Sequence, residues 1–141
     1  MRYWIGVASR DHVMRGVAGG FCQLDHGKAA PVRRLSEGDG IVYYSPRTVM
    51  DGGVPVQAFT ALGTVDAGEA YPFDLGGGFV QFRRNVKWTK TEDVSIRSLL
   101  EKLSFTRDNK NWGAMLRRGF FEIDRGDFDI IANAMTAPKE G

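Results

Sequence analysis

A turn of two glycines around an aspartate, Gly38-Asp39-Gly40, runs straight into Ile41-Val42-Tyr43-Tyr44-Ser45. Glycine reaches positive φ without penalty and aspartate hydrogen-bonds locally, so the turn is tight. The residues after it are strong β-formers and define a short central strand. Pro46 has no N–H for a ladder and is expected to end that strand. Strand alternation sends Tyr43 and Tyr44 to opposite faces, so only one of them can line a cleft. An aromatic ring beside a cation, here Arg47, is one way to hold a flat, partly anionic ligand such as a nucleotide. The same pattern also describes a core tyrosine next to a half-exposed one.

The rest of the chain reads as partners for this strand. Tyr3-Trp4-Ile5-Gly6-Val7-Ala8 is a nearly continuous apolar run, suited to a strand buried on both faces. Ser9 is placed to cap the helix that follows, with Asp11 in its first turn and Gly19-Gly20 at its end. Phe21 to Lys28 has no clear period and is expected to be irregular; Ala29 to Glu37 is a basic stretch leading to the turn. Val56 to Val65 and Phe79 to Trp88 alternate as strands, with Gly63 marking a bulge or bend. Phe82, Arg84, Val86 and Trp88 share a face, which makes Arg84 either stacked or buried and paired. Asp66 to Gly78 looks turn-rich.

Ser95 is expected to cap a short helix with Ile96, Leu99, Leu100 and Leu103 on its apolar side. A polar loop over 105–111 precedes Trp112-Gly113. Gly119 to Ile123 is a last strand, and Asp124 caps a final helix burying Phe128, Ile131, Ala132 and Met135. This order predicts one α+β domain over residues 1–141, with a mixed, barrel-like sheet flanked by short helices.

Length and charge narrow the function classes. At 141 residues and 43% hydrophobic, the chain can bury a core without staples. The net charge of +2 announces no nucleic-acid binder, so distribution matters more than the sum. Arginine outnumbers lysine 13 to 6, which suits forked recognition of phosphate or base edges, and three arginine pairs (33–34, 83–84, 117–118) would form a basic face if they converge. A single cysteine, Cys22, excludes an internal disulfide, and with no leader pattern and no membrane span the expectation is a cytoplasmic protein.

No phosphate-binding loop is present, since Gly76-Gly77-Gly78 leads into a strand rather than a helix. Cys22 and His26 lack a third ligand nearby, so neither metal nor cofactor is expected. A Cys22–His26 nucleophilic pair competes with a buried, inert cysteine. Trp112 stands out because it follows the polar run Asp108 to Asn111, where its indole can wall a pocket. A splayed-out base needs such a face and edge partners; Ser9, Gln23, Ser45 and Asn111 have suitable groups.

Read together, these segments resemble the EVE-domain family of the PUA-like superfamily, related to YTH domains. The matching residues are Tyr3-Trp4-Ile5-Gly6-Val7 with Ser9 and His12-Val13, then Gly20-Phe21, Gln23 and His26-Gly27-Lys28. Gly38-Asp39, Tyr43-Tyr44-Ser45-Pro46, Gln57 to Gly63 and Phe82-Arg83-Arg84 follow in order. Leu103-Ser104-Phe105, Asn111-Trp112-Gly113, Arg117, Gly119 to Ile123 and Asp127-Phe128 complete the match. The resemblance implies a strongly bent barrel with a pocket and basic surface that, in related domains, accept a flipped modified base of DNA or RNA; a monomer or weak homodimer is expected. It makes Trp4, Tyr44, Phe59 and Trp112 candidate pocket aromatics, with Tyr43 in the core. Ser9, His12, Gln23, His26, Lys28, Ser45 and Asn111 become candidate polar contacts, and Arg83, Arg84 and Arg117 candidate phosphate contacts. The alternative is a small hydrolase acting on a modified nucleoside or amide, with His26 as base, Lys28 as clamp and Glu122 as acid. No nucleophile, base and orienter stand at readable spacing, which favours binding without catalysis.

Overall fold

The computed structural model describes residues 1–138; the tail beyond Pro138 lies outside the described residues. Strand β1 (Tyr3–Val7) is buried on both sides, with Trp4 in one apolar cluster and Ile5 in the other. Helix α1 (Arg10–Gly19) follows and ends at Gly20, whose φ of 76° is the left-handed stop expected there. Ser9 occupies the cap position without capping: its hydroxyl donates to Asp11, whose carboxylate also accepts the His12 N–H.

The stretch expected to be irregular holds β2 (Phe21–Cys22) and a single 3-10 turn at Asp25–Gly27, and the basic stretch contains α2 (Ala29–Arg33). The central strand, β3, runs Gly40–Arg47 and so continues through Pro46. Its parallel partner β1 pairs only up to Tyr44, which leaves no neighbour on that side to require a Pro46 N–H.

Strand β4 (Pro55–Val65) lies antiparallel to β3, and the register shifts fall between Tyr43 and Tyr44 and between Ser45 and Arg47. Gly63 is therefore not at the bulge: it is paired on both sides, and a Cβ there would sit 2.8 Å from the Lys87 carbonyl. Its role is to let β4 approach β6 (Val80–Thr89). Between them in sequence comes β5 (Tyr71–Asp74), a strand inside the stretch read as turns; Pro72 and the glycines around it masked the pattern. β7 (Val94–Ser95) adds a short pairing to β4.

Ser95 does cap, but the helix is one 3-10 turn, Ile96–Ser98, and Leu99 and Leu103 reach the core from the turns beyond it. A short α3 (Gly113–Leu116) leads to β8 (Phe120–Ile123) and α4 (Arg125–Thr136). Asp124 caps α4 as expected, accepting the Asp127 N–H at 2.7 Å.

The path through the sheet is β2-β6-β4-β3-β1-β8, with β5 on β6 and β7 on β4, and it curls into a half-barrel. Alternation along β3 divides the core: Ile41 and Tyr43 join Trp4, Cys22 and Leu24, while Val42 and Tyr44 join Phe59, Leu103 and Ile131. On β6, Phe82, Val86 and Trp88 pack on the Trp4 side as the pattern predicts. No helix among the described residues is long and apolar enough to cross a membrane.

Candidate nucleic-acid interface

A cavity of about 690 Å³ opens where β1 ends, between the 23–26 segment, the β3–β4 loop and the 110–119 segment. Tyr44 lines it and Tyr43 does not. Tyr44 is backed by Phe59, edge-on at 5.7 Å between ring centroids, and burial pushes its hydroxyl pKa up. Trp112 supplies a second aromatic. The Arg97 guanidinium lies 5.7 Å above the indole and also donates to the Gln57 side chain at 3.1 Å, tying two walls together. The Trp112 indole N–H and the Asn111 side-chain amide make no hydrogen bond within the described residues, which leaves them for a ligand edge.

The polar wall from α1 to the 3-10 turn is held in place from behind. Tyr43 donates its hydroxyl to the Gln23 carbonyl at 2.6 Å and accepts the Gln23 N–H at 3.1 Å. The Gln23 side chain accepts from Arg83 Nε and donates to Gln81, both at 2.6 Å. His12 lies beside it. Burial lowers the imidazole pKa, Arg15 adding to the effect and the Gln23 carbonyl opposing it, so the neutral form prevails at pH 7.

Backbone strain gathers at the same place. Four non-glycine residues among those described have positive φ: Asp25 (46°), His26 (62°), Gln57 (48°) and Asp108 (57°). The first three line the cavity, and Asp108 sits two residues before its wall at Lys110. Such strain persists where surrounding structure over-determines it, and it clusters at ligand sites.

Of the residues expected at a site, Ser9, His12, Gln23, His26, Tyr44, Asn111, Trp112 and Arg117 converge on this cavity. Six do not. Trp4 is fully buried, its indole N–H donating to Asp39 at 3.0 Å. Phe59 stands behind Tyr44 rather than at the surface, and Ser45 is buried against Thr60 at 2.8 Å. Lys28 turns outward to pair with Asp25 at 3.5 Å. Arg83 acts through Gln23. Arg84 is buried and donates to the carbonyls of Leu35 (2.9 Å) and Asp66 (3.0 Å), with Nε unpartnered.

The arginine pairs do not converge either: Arg33 lies over Phe82 and Arg34 over Trp4. The basic lining comes instead from Arg47, Lys110 and Arg117, against one carboxylate among the described residues, that of Asp25. Gln57, Lys110 and Arg97 were missed as site residues. Lys110 adjoins Asn111 and was findable; the left-handed kink at Gln57 left no sequence signal.

The hydrolase triad is not assembled. Lys28 is outside the lining and Glu122 lies 3.9 Å from Arg2, away from the cavity. Cys22 is fully buried and its thiol is pushed up to about 12 by desolvation, so it does not form a nucleophilic pair with His26.

The curled sheet has the fold seen in solved YTH domains. The YTH domain of Zygosaccharomyces rouxii MRB1, solved in complex with N6-methyladenosine RNA, superposes with a TM-score of 0.68 at 15% identity, covering 99% of this chain and 87% of that one. The YTH domain-containing protein mmi1, solved with RNA, gives 0.58 at 10% identity over 94% and 82%. The chain belongs to the EVE domain family, whose model matches residues 2–134. It is 54% identical to the UPF0310 protein msl3206 of Mesorhizobium japonicum, over 97% of this chain and 93% of that protein. It is 42% identical to YdcG of Bacillus subtilis, over 94% and 91%.

Proposed function

We propose that the chain, as a single EVE domain, binds DNA or RNA carrying a modified base and accepts the flipped base in the cavity, without catalysing a reaction. The observation that carries this reading is the meeting of Tyr44 and Trp112 with Asn111, His12 and a basic rim in one cavity. Its volume of about 690 Å³ lies within the range of small-ligand pockets. The half-buried Trp112 ring, beside the nearly buried Tyr44 (3% exposed), suits a planar heterocycle, and the Trp112 N–H and the Asn111 side-chain amide, unpaired among the described residues, suit its edge. Arg47, Lys110 and Arg117 suit the phosphates on either side.

Titration of tryptophan fluorescence with short oligonucleotides tests it. Strands with a central N6-methyladenosine or 5-methylcytosine and their unmodified counterparts are compared across a salt series. Binding that favours a modified strand and weakens linearly in log[salt] is expected. Negligible binding to every strand sinks the reading.

A further inference from the structure

Four of the seven large apolar side chains exposed among the described residues lie in one hairpin. Phe73 (43%), Leu75 (50%), Phe79 (63%) and Val80 (46%) all belong to β5, the start of β6 or the turn between them. In register, Phe73 faces Gln81 and Tyr71 faces Arg83, and the Leu75 N–H donates to the Phe79 carbonyl at 2.9 Å. Opposed residues, and residues two apart, share a face of a sheet. Phe73, Gln81 and Arg83 therefore form one strip, and Phe79 extends it toward the tip.

That strip is continuous with the cavity wall. Gln81 and Arg83 are the two residues that hold the Gln23 side chain. The approach is close: a Cβ on Gly27 would sit 2.8 Å from the Gln81 Cβ. Phe79 is two residues from Gln81, roughly 7 Å along the strand. The strip also carries a fixed cation. Arg83 Cζ lies 3.8 Å from the ring centroids of both Phe21 and Phe73, so the guanidinium is clamped between two rings. No carboxylate among the described residues forms an ion pair with it. Exposed aromatic faces on a sheet around an unneutralised arginine suit unpaired bases and their phosphates. An apolar protein partner would leave that charge desolvated and unpaired.

We propose that the face of the β5–β6 hairpin, from Arg83 through Phe73 to Phe79, stacks the unpaired nucleotides flanking the base held in the cavity. The inference rests on the nucleic-acid reading of the cavity and adds to it that the partner is single-stranded, or opened, beside the modification. Duplex bases present no free faces to such a strip.

Nine-nucleotide single strands with and without a central N6-methyladenosine separate the two claims. Phe79→Ala removes an exposed ring and is expected to keep the native melting temperature. Its affinity for both strands is expected to fall about tenfold, because stacking is indifferent to the modification. Phe79→Tyr restores it. Trp112→Ala, by contrast, is expected to remove the preference for the modified strand.

Unchanged affinity of Phe79→Ala for both strands overturns the hairpin proposal while leaving the cavity reading intact. A Phe79 effect without any Trp112 effect supports the hairpin and counts against the cavity. Loss of self-association in Phe79→Ala by sedimentation, with strand affinity unchanged, overturns the proposal in favour of a contact between two copies of the chain. If no strand binds the wild type, both fail.

Discussion

Trp4 and Trp112 have the same local equipment and opposite fates. Each indole has an arginine over its ring, Arg34 at 4.9 Å and Arg97 at 5.7 Å. Trp4 is stacked on Phe120 at 4.8 Å and donates to Asp39, and nothing of it reaches solvent. Trp112 keeps its N–H unpaired and borders a cavity. The difference lies in what distant chain brings. Asp39, in the turn before β3, closes the Trp4 site: its carboxylate also accepts the N–H groups of Arg2 (3.1 Å) and Ser36 (3.0 Å). Among the described residues no equivalent acceptor reaches Trp112. An aromatic residue becomes core or pocket wall according to whether its polar edge is satisfied from within.

The contrast breaks most visibly at Asp39. Asp39→Ala orphans the Trp4 N–H and two backbone donors around a buried position, and should cost about 3–4 kcal/mol of stability. Urea unfolding measures it. A loss under 1 kcal/mol would mean that the Trp4 site is held by packing alone. The equivalent change on the other side is Trp112→Ala. Trp112 is half-buried against the core, so stability should fall by only about 1–2 kcal/mol. Affinity for a modified strand should fall about tenfold to a hundredfold. A variant that loses stability like Asp39→Ala but keeps its affinity would put Trp112 with the core rather than the cavity.

The same logic shows how far the sequence could be read. β1, β3, β4, β6 and α4 were legible because their apolar pattern records which face is covered. β5 was not, because Pro72 and the neighbouring glycines imitate a turn while pairing with β6 supplies the strand. Alternation left one tyrosine for the cavity without saying which; the choice falls on Tyr44 because the Tyr43 hydroxyl is bonded to the distant Gln23 backbone. Arg83 and Arg84 could not be told apart by type. They point to opposite sides of β6, one into a slot of backbone carbonyls and one between two phenylalanines, and those surroundings come from residues tens of positions away. Trp4 and Phe59, both inside strands, stayed on the candidate list beside Trp112 for the same reason: sequence shows the ring, but not what satisfies or covers it.

The smallest expected effect sharpens the comparison through pH, since the cavity side carries a titrating group in His12. Burial lowers its pKa in the folded state, while the unfolded chain takes up the proton near pH 6.5. As pH falls through 6.5 the unfolded state gains the proton first, so stability declines until the folded-state pKa is passed and then levels off. Asp11 acts in a separate window. Its carboxylate is held below its ordinary 3.8, chiefly by the Ser9 hydroxyl, so its contribution is present above that value and is lost only under stronger acid. Urea midpoints between pH 8 and pH 5 should therefore fall for the wild type and stay flatter for His12→Gln. An identical decline in both proteins would show that the His12 imidazole is not desolvated, and the case for its neutral form at that wall of the cavity would be lost with it.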